Sequence, residues 1–223
     1  MIPRTLEPEV MDSLEEAEAY DAMDHAEVND AFARRAVELV QGASLSGPLR
    51  VLDMGCGTAQ IPVRLAPLLP GARIEAVDLA DAMLAVGRRR VEAAGLGDRV
   101  VLRREDCKAL QVADASYDVV LSNSLLHHVA DPVRPLREAA RVLRQGGVLL
   151  VRDLCRPQSQ AEVEAVVARY AGDADARQQE LFRASLRAAL AEDEARDAAR
   201  AAGLGAARVL RSSDRHLTIE LGL

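Results

Sequence analysis

The chain has 223 residues, 49% hydrophobic and 28% charged, with a formal net charge of −7 at pH 7. That length supports one well-buried domain with room for a small lid, and the acidic balance argues against a nucleic-acid polyanion as the main partner, because such binding depends on a basic patch. Three tyrosines, two phenylalanines and no tryptophan are too few for a base-stacking platform or an aromatic cage.

Residues 1–30 carry one basic residue, Arg4, among many acids. A helix is expected over 24–40, where Val28, Phe32, Ala36 and Leu39 recur at helical spacing. A Gly/Ser-rich linker ending at Pro48 follows. It sets 1–47 apart as an N-terminal helical extension, or lid, from a main domain at 48–223. From Leu49 the pattern alternates. Strands are expected at 49–53, 73–78, 99–105, 117–122 and 148–154, each apolar throughout, as when helices cover both faces of a sheet. Helices fall between them: one reaches Leu69 before Pro70-Gly71, one spans 81–94 before Gly95, and one opens at Pro132 and stops before Gln145-Gly146-Gly147. This order implies an α/β protein with a doubly wound parallel sheet. Three helical stretches at 159–171, 176–190 and 192–202 then break the rhythm. One crossover needs one helix, so about 157–190 reads as a helical cap insertion. Two last strands are expected at 206–210 and 216–221.

No apolar run approaches the ~20 residues of a membrane span, and the acidic N-terminal stretch does not read as a secretory leader. Cys56, Cys107 and Cys155 are far apart and show no metal-binding spacing. The expectation is a reduced, cytoplasmic protein, monomer or homodimer, with no metal, no membrane and no nucleic acid.

The densest chemistry lies in Val51-Leu52-Asp53-Met54-Gly55-Cys56-Gly57-Thr58. An apolar run ends in an acid, and two glycines then allow a sharp turn and close approach of a ligand to bare backbone. Position 60 is Gln, not the third glycine of a dinucleotide fingerprint, so a pyrophosphate on this helix is less expected. Asp78 ends the next apolar run. It can take two ribose hydroxyls or cap the following helix, and Asp81 is the better cap. Asp106-Cys107 ends the third strand, where the carboxylate and a backbone N–H can read an adenine edge or simply form a turn. Ser122-Asn123-Ser124-Leu125-Leu126-His127-His128 follows the fourth strand, at the sheet edge where open α/β proteins place their sites. His127 or His128 can act as a general base near neutral pH or can serve packing and capping. Tyr20, Asp24, His25 and Asn29 can share one helix face, as substrate contacts or as a solvated surface. Arg152-Asp153 ends the fifth strand, and Arg215-His216 precedes the last.

Taken together, Val51–Ala59, Val77–Leu84, Glu105–Lys108, Tyr117–His128 and Val142–Val151 resemble the class I S-adenosylmethionine-dependent methyltransferases, small-molecule type. The resemblance covers about residues 49–154. It implies a Rossmann-like seven-stranded sheet with an antiparallel last strand and S-adenosylmethionine as cofactor. It implies that Asp53 and Gly55 lie near the methionine end, with Cys56 and Gly57 in the same loop. Asp78 would hold the ribose beside Leu79 and Met83, Asp106 and Cys107 the adenine, and Asn123 the rim of the transfer site. Ala59 stands where the family often has glycine, and a slightly shifted turn is expected there. The loop at 123–126 lacks the Pro-Pro pattern of members that methylate exocyclic amines. The expected activity is methyl transfer to a nucleophile on a small molecule, with His127 or His128 as base, His25 as the outsider, and Arg152, Arg215 or His216 on an anionic substrate group. The rivals are a non-catalytic nucleoside-cofactor-binding module and, less favoured, an NAD-dependent oxidoreductase.

Overall fold

The computed structural model describes residues 2–7, 12–23, 25–43, 45 and 47–222. Two helices come first, α1 (Leu14–Asp21) and α2 (Ala26–Gly42), then β1 (Arg50–Met54), α3 (Gln60–Leu68), β2 (Arg73–Asp78), α4 (Asp81–Ala93) and β3 (Val100–Arg104). β4 (Tyr117–Asn123) leads through a 3-10 turn at Leu126–His128 into α5 (Val133–Val142) and β5 (Leu143–Leu154). Three helices, α6 (Gln160–Ala171), α7 (Ala176–Ala188) and α8 (Glu192–Ala201), precede β6 (Arg208–Arg211) and β7 (His216–Leu221).

The strands form one seven-stranded sheet in the order β3-β2-β1-β4-β5-β7-β6. β1 to β5 are parallel, and β7 runs antiparallel to both β5 and β6. The order reverses at β1, so β1 and β4 diverge at their carboxyl ends and open the crevice in which such sheets bind ligands. Strand residues alternate between two cores. Val51, Leu121 and Leu150 pack with Phe32, Ala36 and Leu39 of α2 and Leu65 of α3. Leu52, Val120 and Leu149 pack with Leu136 and Ala139 of α5 and Ala195 of α8. Asp53 and Arg152 therefore end on the α2–α3 side of the sheet, and Asp153 on the other.

Two features depart from the sequence reading. α1 lies in the acidic stretch where only a general helical character was expected. It is set by Ser13, whose hydroxyl accepts from the Glu16 N–H at 3.2 Å, an N-cap that satisfies one of the donors a helix start leaves open. β5 begins at Leu143, five residues before the expected strand, because Gln145-Gly146-Gly147 is a kink within the strand. A Cβ on Gly147 would fall 2.7 Å from the Asp118 carbonyl oxygen, so only glycine lets β5 pass β4 there.

The excursion through α6 and α7 leaves and returns at one place. Cys155 bridges to Leu190, and the Arg156 N–H donates to the Leu190 carbonyl at 2.9 Å. Val163, Val167, Leu186 and Ala189 give it a small core of its own against Leu154. The N-terminal segment straps across it: Arg4 donates to the carbonyls of Ala188 (2.6 Å), Val129 (2.9 Å) and Leu126 (3.2 Å).

Candidate active site

The β1 strand ends in a turn held by β2. The N–H groups of Gly55 and Cys56 both donate to the Val77 carbonyl, at 2.8 and 2.9 Å. Gly55 has φ +73°, and a Cβ there would strike Leu125 at 2.8 Å, so glycine lets the β4 loop close over the turn. Gly57 has φ +51°, and a Cβ there would meet nothing within 4 Å; its backbone faces open space. Ala59 takes φ +58°, ψ +29°. Alanine here adopts the left-handed conformation itself, at a cost of roughly 1 kcal/mol relative to glycine.

Asp53 is 2% exposed, and its Oδ2 has no hydrogen-bond partner. Burial pushes its carboxyl up to about 7, with a further push from Asp78. Asp78 accepts from the Gly57 N–H at 2.8 Å on Oδ2 and from the Ala80 N–H at 2.9 Å on Oδ1. Asp78 thus binds the glycine turn to the start of α4, while Asp81 makes no capping bond there. Each Asp78 oxygen keeps a lone pair for a hydroxyl donor. Met83 is buried under α1, where Ala17 and Tyr20 pack on Ala80, Met83 and Val86, and Leu79 is half-buried beside it. Burial raises the Tyr20 phenol, and the Asp78 and Asp21 carboxylates raise it further. Tyr20 therefore stands over the β2 end, with the His25 ring 5.3 Å away. At the β3 end, Asp106 accepts from the Lys108 N–H at 2.9 Å, a turn contact, and Cys107 is half-buried.

The β4 loop separates its two histidines. His127 is 4% exposed, with Nδ1 2.6 Å from Asp153 Oδ1 and Nε2 3.6 Å from Glu7 Oε1. Burial opposes its charging, and the facing carboxylates of Asp153 and Glu7 outweigh burial, so its pKa is raised. Asp153 also accepts from the N–H groups of Leu126 (2.5 Å) and Leu154 (2.6 Å). His128 is one-fifth exposed, with Nδ1 3.0 Å from Glu7 Oε1. Arg152, on the opposite face of β5 from Asp153, donates Nε to Asn123 Oδ1 at 3.1 Å and Nη2 to the Val28 carbonyl of α2 at 2.6 Å. Its guanidinium lies 4.8 Å from the Phe32 ring centroid.

Residues 52–151 match a family model described as a methyltransferase domain. Over that stretch the chain resembles a methyltransferase domain. It is similar to the 27-O-demethylrifamycin SV methyltransferase of Amycolatopsis mediterranei, 35% identical over 116 residues, 52% of this chain and 42% of that one. It is also similar to the demethylmenaquinone methyltransferase of Thermus thermophilus, 37% identical over 124 residues, 56% of this chain and 54% of that one. The chain spans about half the length of these curated relatives. A solved S-adenosylmethionine-dependent methyltransferase from Aquifex aeolicus shares the fold at a TM-score of 0.66 and 16% identity, covering 94% of this chain and 98% of its own.

The fold brings Asp53, Gly55, Cys56, Gly57 and Asp78 to one edge of the sheet, with Asn123 on the neighbouring β4 end. Other expected residues stand elsewhere. Both ring nitrogens of His127 face carboxylates, so it is not placed to take a proton from a substrate; Asp153 holds it and is likewise no substrate contact. Asn29 is 6% exposed and donates to Gln60 Oε1 at 2.9 Å, which fastens α2 to α3 rather than touching a substrate. Asp24 lies outside the described residues. Glu7 was not singled out in the sequence; nothing local marks it, because its partners lie some 120 residues away. Among the described residues, Glu7, His127 and His128 are the one cluster with the spacing of a metal site.

An Asp153→Ala change leaves His127 facing a cavity and two buried N–H groups unpaired. The expected cost is about 3–5 kcal/mol, read from denaturant unfolding; a cost under about 1 kcal/mol would contradict this arrangement. The pH sign follows from the shift. The raised His127 pKa adds stability that is complete below its unfolded value near 6.5 and is lost as pH rises through the folded value. Asp153→Ala should abolish that alkaline loss.

Proposed function

We propose that this chain transfers a methyl group from S-adenosylmethionine to a nucleophile on a small molecule. The observation that carries this is the pair of carboxylates at successive strand ends around an open glycine turn: Asp53 with a buried, unpartnered oxygen, and Asp78 with both oxygens anchored on backbone. The residues fit the cofactor. An ammonium group would satisfy Asp53 Oδ2, two ribose hydroxyls match the spare lone pairs of Asp78, and Asp106 with the Cys107 N–H suits an adenine edge. The relatives' names, a demethylrifamycin and a demethylmenaquinone methyltransferase, support a small acceptor.

The bound cofactor would supply a methyl already activated on a sulfonium. The chain's task is then to align the acceptor and exclude water. α1 with Tyr20 covers the cofactor end, and α2 with the α6–α7 excursion covers the acceptor end. His128 is the base for an acceptor that carries a proton: Glu7 Oε1 lies beside Nδ1, which leaves Nε2 to take it. No described helix is long and apolar enough to cross a membrane.

Thermal melts with S-adenosylmethionine, S-adenosylhomocysteine and NADH test this reading. A ligand at ~100 times its Kd adds about 2.7 kcal/mol, a shift of several degrees for a domain of this size. A rise with the two sulfur compounds and not with NADH is expected. A rise with NADH alone would replace it with a nicotinamide-dependent reading, and no rise at all with a non-catalytic module.

A further inference from the structure

Three side chains meet where the two caps face each other. Arg152 in β5 pairs across to Thr218 in β7, so His216, two residues earlier, lies on the same face of the sheet. Arg215 precedes it, with its guanidinium carbon 3.3 Å from the centroid of the Tyr170 ring at the end of α6. Many arginines here meet a carboxylate, such as Arg35 with Glu220 and Arg141 with Glu138. Among the described residues, neither Arg152 nor Arg215 forms an ion pair, and Nη1 of Arg215 is buried with no hydrogen-bond partner. Asp214 and Glu27 attract Arg215 without pairing with it, and burial still pushes its pKa down. Asp214 is taken by Arg169 and the Tyr170 hydroxyl, both at 2.8 Å, and Glu27 is exposed on the first turn of α2.

We propose that the acceptor carries an anionic group, a carboxylate or a phosphate, held between Arg152 and Arg215 next to Asn123. This acceptor class rests on the methyl-transfer reading above. Two neighbouring guanidinium groups that repel each other without a counter-ion are unfavourable until an anion enters; Arg215 brings its unpartnered Nη1, and Arg152, whose Nε and Nη2 already donate to Asn123 and Val28, brings Nη1. Burial and the neighbouring Arg215 push Arg152 down to about 10, as expected of a cation short of a partner. His216 adds a third donor. Ser213 Oγ accepts from the N–H groups of Arg215 (3.2 Å) and His216 (3.0 Å), so its own proton goes to His216 Nδ1 at 2.9 Å. The ring proton is then on Nε2. Burial, Arg152 and Arg215 push this imidazole down to about 4, which keeps it a neutral N–H donor. Arg152 also bonds Asn123, so an anion here lies beside the β4 end that rims the transfer site.

The test is a calorimetric titration of the chain, saturated with S-adenosylhomocysteine, against benzoate, phenyl phosphate and neutral benzamide. At least one of the two anions is expected to bind and benzamide not; which anion binds identifies the carboxylate or the phosphate. Arg215→Leu should weaken the anion at least tenfold and leave S-adenosylhomocysteine affinity within about twofold. Arg152 also ties α2 down, so Arg152→Lys is the second variant; it keeps the charge, loses the planar fork and should weaken the anion less. Equal binding of benzamide, no binding of either anion, or unchanged anion affinity in Arg215→Leu would overturn the anionic acceptor. Failure of S-adenosylhomocysteine itself to bind would instead overturn the methyl-transfer reading beneath it.

Discussion

Asp53→Asn is expected to stabilise the ligand-free protein at neutral pH and to weaken S-adenosylmethionine roughly a hundredfold or more, since truncating one side of a buried charge pair costs about 2–5 kcal/mol. Asp53 is buried, Oδ2 lacks a partner, and burial with the nearby Asp78 pushes its carboxyl from the ordinary 3.8 up to about 7. Between those values the folded chain holds a proton that the unfolded chain has lost. Stability therefore falls as pH rises from about 4 to about 7 and levels off above. At 1.36 kcal/mol per unit, the cost above pH 7 is on the order of 4 kcal/mol. Asparagine has the same shape and no charge, so it removes this slope. A ligand ammonium opposite Asp53 would act the other way, favouring the carboxylate and releasing a proton on binding near pH 6. Urea midpoints at about pH 5 and pH 8 for both proteins, with calorimetric titration of the cofactor, read both effects. Equal pH slopes, or equal cofactor affinity, would remove Asp53 from the proposed site.

Asp78→Ala is expected to lose both cofactor affinity and stability. Its two oxygens bind the Gly57 and Ala80 N–H groups, and bonds to a charged acceptor are worth about 1.5–3 kcal/mol each. Truncation frees the glycine turn from the start of α4 and removes the acceptor for the ribose. A fall in affinity of about a hundredfold is expected, with a lower melting temperature. Asp78→Asn separates the two roles: the amide oxygen can still accept one N–H, so stability should recover further than affinity. His128→Ala supplies the contrast, slowing turnover while leaving cofactor affinity near wild type. Equal loss of turnover and affinity in both the Asp78 and His128 variants would undo these roles.

The cofactor edge was legible because it is local. Val51–Thr58 and Ala76–Asp78 each place an acid at the end of an apolar strand, and the parallel pairing of β1 with β2 makes those ends neighbours. The acceptor side was less legible because its contacts are long-range. Arg152-Asp153 reads as one charged pair, yet the pleat sends the two to opposite faces, one to α2 and one to His127. The two histidines look alike in sequence, and it is Asp153 together with the strap bearing Glu7 that makes one buried and one half-open. Gln60, read as a missing glycine, is the point where Asn29 fastens the N-terminal extension. Asp78 reads as spare beside Asp81, but an acid two residues ahead of Ala80 reaches its N–H before Asp81 does.

The most direct test of the central claim is a crystal structure of the chain with S-adenosylhomocysteine. The account places the ligand's amino group on Asp53, its ribose hydroxyls on Asp78 and its sulfur beside Asn123, with Tyr20 over the nucleoside. A nucleoside bound away from the β1 and β2 ends, or an Asp53 that makes no contact with it, would contradict the account.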